Sequence, residues 1–337
     1  MTILYVASDQ KRVGKTALCV TLVHKLRQRG IKATALKVIS QTSTKSNNDS
    51  DIEIYGKFLN NAPTSYVIKL PNENVTSRDL DTLSSDLINI SKDADVILME
   101  ASSNIHKNVS AQIVDTLDAQ ALIVTNYHKN LSSNQIRPWT KVFGEHLSGF
   151  VINGLTRHLI KTAKTESQAL STSSGSNIYG FIPESRKLLG SSVNQIAQHL
   201  NGRFVVHEEP SDILVEHLMI GGMGMDPAEL YFGTKNNKAV IVRGDRPDVQ
   251  LAALNTSTAC LVLTNGIEPI EYVKYEAELE KTSIIVVETN TLQTMEILNT
   301  LMDNTNFDHT SKLTEFSQLI DSHFDLPNLY RNIGIDI

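Results

Sequence analysis

A chain of 337 residues, 41% hydrophobic and 20% charged, has the composition of a folded protein long enough for two domains with separate cores. A net charge of −6, with no run of Lys and Arg interleaved with aromatics, excludes the basic stripe that phosphate backbones select, so nucleic acid is not an expected partner. No apolar run approaches the roughly twenty residues of a membrane helix, and Ile3 to Ala7 is too short for a signal peptide.

These exclusions, with Cys19 and Cys260 set in apolar segments without paired or metal-type spacing, lead to the expectation of a cytoplasmic protein with no membrane partner and two small core cysteines. From the N-terminus, the first half alternates short apolar runs with amphipathic stretches, the pattern of an α/β domain with a parallel sheet flanked by helices. The predicted strands are Ile3 to Ala7, Ala33 to Val38, Val96 to Met99, Ala121 to Thr125, Phe150 to Ile152 and Ile178 to Phe181. Several are apolar at consecutive positions, as strands covered on both faces must be. The polar stretches Ser40 to Ser50 and Ser171 to Asn177 read as loops.

The first strand leads into Ser8-Asp9-Gln10-Lys11-Arg12-Val13-Gly14-Lys15-Thr16 and then into a helix with Leu18, Leu22, Val23 and Leu26 on one face and Gly30 as its stop. Strand, Gly-Lys-Thr and helix in this order are the context of a P-loop NTPase. Backbone N–H groups from Val13 through Ala17, aimed by a helix N-terminus, would cradle the phosphates of ATP. Lys15 would reach the β and γ oxygens, and the Thr16 hydroxyl would ligate Mg2+. Asp9 stands where the common spacing puts its first Gly, so the loop is counted from Ser8.

A carboxylate is needed near that metal. Glu100 ends the apolar run Val96-Ile97-Leu98-Met99, which places it at the carboxyl edge of the sheet, where open α/β sheets bind ligands. Asp49 and Asp51, both read as part of the polar loop, are the further candidates, Asp51 being preferred.

Around Glu208, Glu209 and Pro210 the pattern breaks, and the boundary between domains 1–207 and 208–337 is placed there. The second, smaller α/β domain has predicted strands Lys238 to Val242, Ala259 to Leu263 and Ser283 to Val287. Its predicted helices are Val249 to Leu254, Ile270 to Glu280 and Thr291 to Leu301, with a last helix from Lys312 to Ile320. The strand ends Arg243-Gly244-Asp245-Arg246, Thr264-Asn265-Gly266 and Glu288-Thr289-Asn290 should converge on one edge. There they form either an anion pocket at Arg246 or a homodimer surface in which Asp245 meets Arg246 of a second copy, with the Gly-rich stretch Ile220 to Met225 suited to an interface.

Taken together, the loop Ser8 to Thr16, Lys37 on the second strand, Glu100 and Asn153 resemble the dethiobiotin synthetase-like branch of P-loop proteins. The segment Tyr179-Gly180-Phe181-Ile182-Pro183-Glu184 is similar to that branch's Gly-x-x-Pro segment at the adenine pocket. The resemblance implies that Asn153 and Pro183 serve the nucleotide, and that Lys37 holds a small carboxylate or carbamate against the γ-phosphate. The remainder resembles a DRTGG domain through Gly244-Asp245-Arg246-Pro247-Asp248, where Pro247 and Asp248 replace the Thr-Gly that gives the domain its name.

The two domains in this order resemble the N-terminal, metabolite-sensing region of long phosphotransacetylases, with no acetyltransferase segment following in this sequence. Two functions compete on these grounds. One is an ATP/Mg2+-binding regulatory protein that pairs through its second domain. The other is an ATP-dependent ligase or kinase using Lys15 and Lys37 on a small carboxylate. Ala101, Ser102 and Ser103 stand where dethiobiotin synthetases have a Gly-rich turn, and Val38 where they have Pro, which favours the regulatory reading. Cobyrinate amidation needs a nucleophilic Cys, for which neither cysteine has the setting.

Overall fold

The computed structural model describes residues 1–40, 50–59, 67–71, 75–90, 94–127, 133–166, 177–206, 213–224, 228–302 and 305–335. They form two compact units, Met1–Glu184 with Phe307–Ile337, and Ser185–Asn306.

The first unit is built on β1 (Thr2–Ala7), β2 (Ala33–Ser40), β3 (Val67–Leu70), β4 (Val96–Ala101), β5 (Gln120–Asn126), β6 (Leu147–Leu155) and β7 (Asn177–Pro183). They pair in the order β3-β2-β4-β1-β5-β6-β7, and every pairing is parallel. β4 is buried at each of its positions, which is why its sequence runs apolar without alternation until Glu100. β1 lies between β4 and β5, so the turn that follows it opens at the carboxyl edge, at the point where the chain's progress across the sheet reverses.

α1 (Lys15–Gln28) follows that turn. It buries Leu18, Leu22, Val23 and Leu26 as its spacing predicts, and it ends before Gly30, whose φ of +79° stops the helix. α2 (Ser50–Leu59), α3 (Ser77–Ile90), α4 (Lys107–Leu117) and α5 (Ser133–Phe143) complete the unit's crossovers. The loop expected over Ser40 to Ser50 lies largely outside the described residues, as does that over Ser171 to Asn177. Asp51 is not in a loop: it stands in the first turn of α2, where an acidic side chain is favoured by the helix dipole.

In the second unit, β11 (His217–Gly221), β12 (Lys238–Arg243), β13 (Thr258–Thr264), β14 (Ser283–Val286) and β9 (Arg203–Val206) form a sheet in the order β11-β12-β13-β14-β9. β9 is antiparallel to its neighbour and the other pairings are parallel. Short strands β8 (Ser191–Ser192) and β10 (Leu214–Val215) pair separately.

The units divide elsewhere than the sequence suggests. The boundary expected near Glu208 falls inside the second unit, because 203–206 add a strand to its sheet. Residues 208–210 themselves lie outside the described residues. The helix expected over Lys312 to Ile320 is Thr310–His323, is followed by a further helix Leu326–Asn332, and belongs with it to the first unit and not to the second domain: Gly180 on β7 bridges to Phe324, and the Asp325 N–H donates to the Tyr179 carbonyl at 2.7 Å. Lys25 of α1 pairs with Asp321 at 2.6 Å, and a Cβ on Gly180 would meet the His323 carbonyl oxygen at 2.7 Å, so glycine there permits the close approach. Ile220 and Gly221 of the Gly-rich stretch close strand β11. A Cβ on Gly221 would stand 2.8 Å from Val249, so that glycine serves packing within the unit, while Met225 lies outside the described residues. Among the described residues no helix is long and apolar enough to cross a membrane.

Candidate functional site

Seven residues connect β1 to α1, and the last of them, Gly14, is the N-cap of α1 with φ +92°. A glycine cap has no side chain to bind the helix's first N–H groups, and the first turn contains no acid to stand in for one. Those donors and the positive end of the dipole are therefore left for an anion. The space in front of Gly14 is also set: a Cβ there would lie 2.4 Å from Asn153 Nδ2. Asn153, near the end of β6, donates from that same Nδ2 to the Val13 carbonyl at 2.8 Å and so braces the loop from the side.

Lys15 folds back over the loop and donates to Ser8 Oγ at 2.8 Å, while Ser8 Oγ donates to the Gln10 carbonyl at 2.7 Å. Asp9 lies at the rim of a small apolar cleft lined by Ile123, Thr125 and Trp139. Arg12 takes φ +60°, an uncommon conformation for a side chain other than Gly or Asn, within this same loop.

On the other side of β1 the charges gather. Glu100 is directly opposite Val6 on β1 and opposite Lys37 on β2. Lys15, Lys37 and Glu100 are only 7%, 5% and 2% exposed, so each needs a partner. Thr16 donates its hydroxyl proton to Glu100 Oε1 at 2.9 Å, which leaves the lone pairs of its oxygen for a cation. Tyr55, fully buried on α2, donates to Glu100 Oε2. Lys37 pairs with Asp51.

Burial pushes the Glu100 carboxyl above its ordinary range and Asp51 adds to this, against the pull of Lys37, Lys15 and the Tyr55 bond. Burial likewise lowers Lys15, opposed by Glu100 and reinforced by Lys37. Two buried ammonium groups, one buried carboxylate and the half-buried Asp51 thus share one cluster.

The structure brings Ser8, Val13, Gly14, Lys15, Thr16 and Ala17 together on the loop and first turn, with Lys37, Asp51 and Glu100 beside them and Asn153 against Val13. Asp49 lies outside the described residues. Pro183 ends β7 at the same edge, opposite Leu155 on β6. The residue that sequence reasoning passes over is Tyr55. Its signal is the four-residue spacing from Asp51, which sets both on one face of a helix. Among the described residues no group of three or more His, Cys, Asp and Glu is arranged to hold a metal. A cation here fits the magnesium pattern instead, with one or two protein oxygens and the rest from phosphates and water. The uncapped N-terminus, the space set by Gly14 and the Thr16–Glu100 pair fit such a nucleotide.

The family described as "AAA domain" matches residues 2–192, more than half of the chain, and the DRTGG domain matches residues 195–301. The chain belongs to the AAA domain family. Its P-loop domain is of the dethiobiotin synthetase-like kind and is followed by a DRTGG domain.

Among solved structures, the MinD cell division protein of Aquifex aeolicus is 17% identical, over 56% of this chain and 85% of that one, with a TM-score of 0.38. The CBS and DRTGG domains of the regulatory region of Clostridium perfringens pyrophosphatase, complexed with the activator diadenosine tetraphosphate, are 14% identical. That match covers 46% of this chain and 75% of that one, with a TM-score of 0.30. At these scores neither likeness bears on the activity of this chain.

In the DRTGG domain the three strand-end loops do meet: the Gly244 N–H donates to the Thr264 carbonyl at 3.3 Å and the Asn265 N–H to that of Thr289 at 3.0 Å. Within the chain, Asp245 and Arg246 already have partners of their own. Arg243 pairs with Asp245, and Arg246 holds Asp248 at 2.8 Å and the Met223 carbonyl at 3.0 Å. Arg246 is the N-cap of helix Pro247–Leu254, which sets Asp248 in the first turn beside its guanidinium.

Gly14→Ala would put a Cβ against Asn153 and force a side chain into φ +92°. It should weaken ATP binding in calorimetry by about tenfold or more, on the scale of roughly 1–3 kcal/mol for such strain, while Gly30→Ala, with open space around its Cβ, leaves that affinity unchanged.

Proposed function

We propose that this protein binds ATP with Mg2+ and works as a regulatory, metabolite-sensing protein of the phosphotransacetylase N-terminal type. The observation that carries this reading is the pairing of an uncapped helix N-terminus behind Gly14 with Thr16 already turned onto Glu100. N–H groups from Val13 to Ala17 would hold the phosphates, and Lys15 would exchange its bond to Ser8 for phosphate oxygens. Asn153 and Pro183 would lie toward the base. Thr16 and Glu100 would hold Mg2+, with Asp51 completing the shell through water, and the metal would neutralise phosphate charge.

The ligase or kinase alternative asks Lys37 to hold a substrate carboxylate. Here Lys37 is already neutralised by Asp51, and Ala101, Ser102 and Ser103 follow Glu100, so the nucleotide side of the site is kept while the substrate side is altered. Saturating ATP with magnesium, at a hundred times its dissociation constant, should stabilise the protein by about 2.7 kcal/mol, with negligible ADP release. Many-fold stimulation of ADP release by one small carboxylic acid would contradict the sensor and establish the enzyme.

The DRTGG domain is the proposed homodimer surface. Tyr272, Tyr275 and Leu279 follow one another at helical spacing on Glu271–Leu279, and each is more than half exposed. This exposed stripe is the contact the pairing would use. Tyr275→Glu should convert a dimer into a monomer in light scattering, and a monomer at micromolar concentration for the unmodified protein would reject the pairing.

A further inference from the structure

Glu100 is gripped from two sides, and only one grip belongs to P-loop chemistry. Thr16 takes Oε1 at 2.9 Å and Tyr55 takes Oε2. Tyr55 is wholly buried, and its hydroxyl donates to the carboxylate. One helical turn before it, Asp51 pairs with Lys37. Lys37 and Glu100 are direct neighbours across β2 and β4.

The spacings agree. Residues four apart on a helix stand about 5–6 Å from each other, and neighbouring strands lie about 4.8 Å apart. A helix laid across the two strand ends can therefore make both bonds at once, Asp51 to the one strand and Tyr55 to the other. A carboxylate on a strand end has a freely turning terminal torsion, and a bond to each oxygen stops it. With Oε2 fixed by Tyr55, Oε1 stays against Thr16.

We propose that Tyr55 is a positioning residue for the magnesium site, fixing the Glu100 carboxylate, and that the Asp51–Lys37 pair seats the helix that delivers it. This deepens the ATP/Mg2+ reading and rests on it. The Tyr55 hydroxyl donates to Glu100, so it should matter to the metal and not to the phosphates.

The test compares calorimetric ATP binding with excess magnesium and in EDTA for the unmodified protein, Tyr55→Phe and Tyr5→Phe. Tyr5→Phe is the control, since it removes another buried hydroxyl, one bonded to Ser110 at 3.0 Å. Tyr55→Phe should weaken binding about tenfold with magnesium, the scale of one lost hydrogen bond to a charged group. In EDTA its affinity should stay unchanged, and Tyr5→Phe should change neither. Equal losses in both conditions would make Tyr55 a packing residue and overturn the inference, as would no loss in either. If the unmodified protein bound no ATP in either condition, the nucleotide reading itself would fall and take this inference with it.

Discussion

Burying three charges beside a fourth, half-buried one is the constraint on which the first domain depends. Lys15, Lys37, Glu100 and Asp51 meet where β1, β2 and β4 end, and none of the first three has water enough to be satisfied alone. The cluster stands because each charge has a partner from a different element: Ser8 of the loop for Lys15, Asp51 of α2 for Lys37, and Thr16 of α1 with Tyr55 of α2 for Glu100. Packing the helices onto the sheet therefore completes the electrostatics, and the electrostatics fixes how the helices sit. A cluster assembled in this way holds its polar groups in fixed positions.

Reading the sequence recovers the parts of this that depend on local pattern. Glu100 stands out because a charge ends a run of buried residues, and Gly14 and Lys15 because strand, loop and helix follow in order. Pairings between distant residues leave no such mark. Asp51 looks like one polar residue in a polar stretch, and its helix is betrayed only by Ile52, Ile54, Tyr55 and Leu59 spread over the buried face. Tyr55 is a plausible core aromatic until Glu100 is seen beside it.

Helix Thr310–His323 shows the same limit at domain scale. Its apolar face at Phe316 and Ile320 predicts burial without saying against what, and adjacency in sequence points to the wrong domain. The right answer lies in Gly180, where the lack of a Cβ lets residues 323–324 approach β7. In the DRTGG domain, parallel strands do bring the three polar loops to one edge, whereas the choice of partner for Arg246 is made locally by Asp248, two residues on.

The central claim is that the loop ahead of α1 is a working phosphate cradle in which Lys15 supplies the fixed positive charge. Calorimetry of ATP binding to Lys15→Ala, with circular dichroism to establish that the fold is kept, tests it most directly. Loss of detectable binding with an unchanged spectrum is the result this account predicts; unchanged affinity would contradict it.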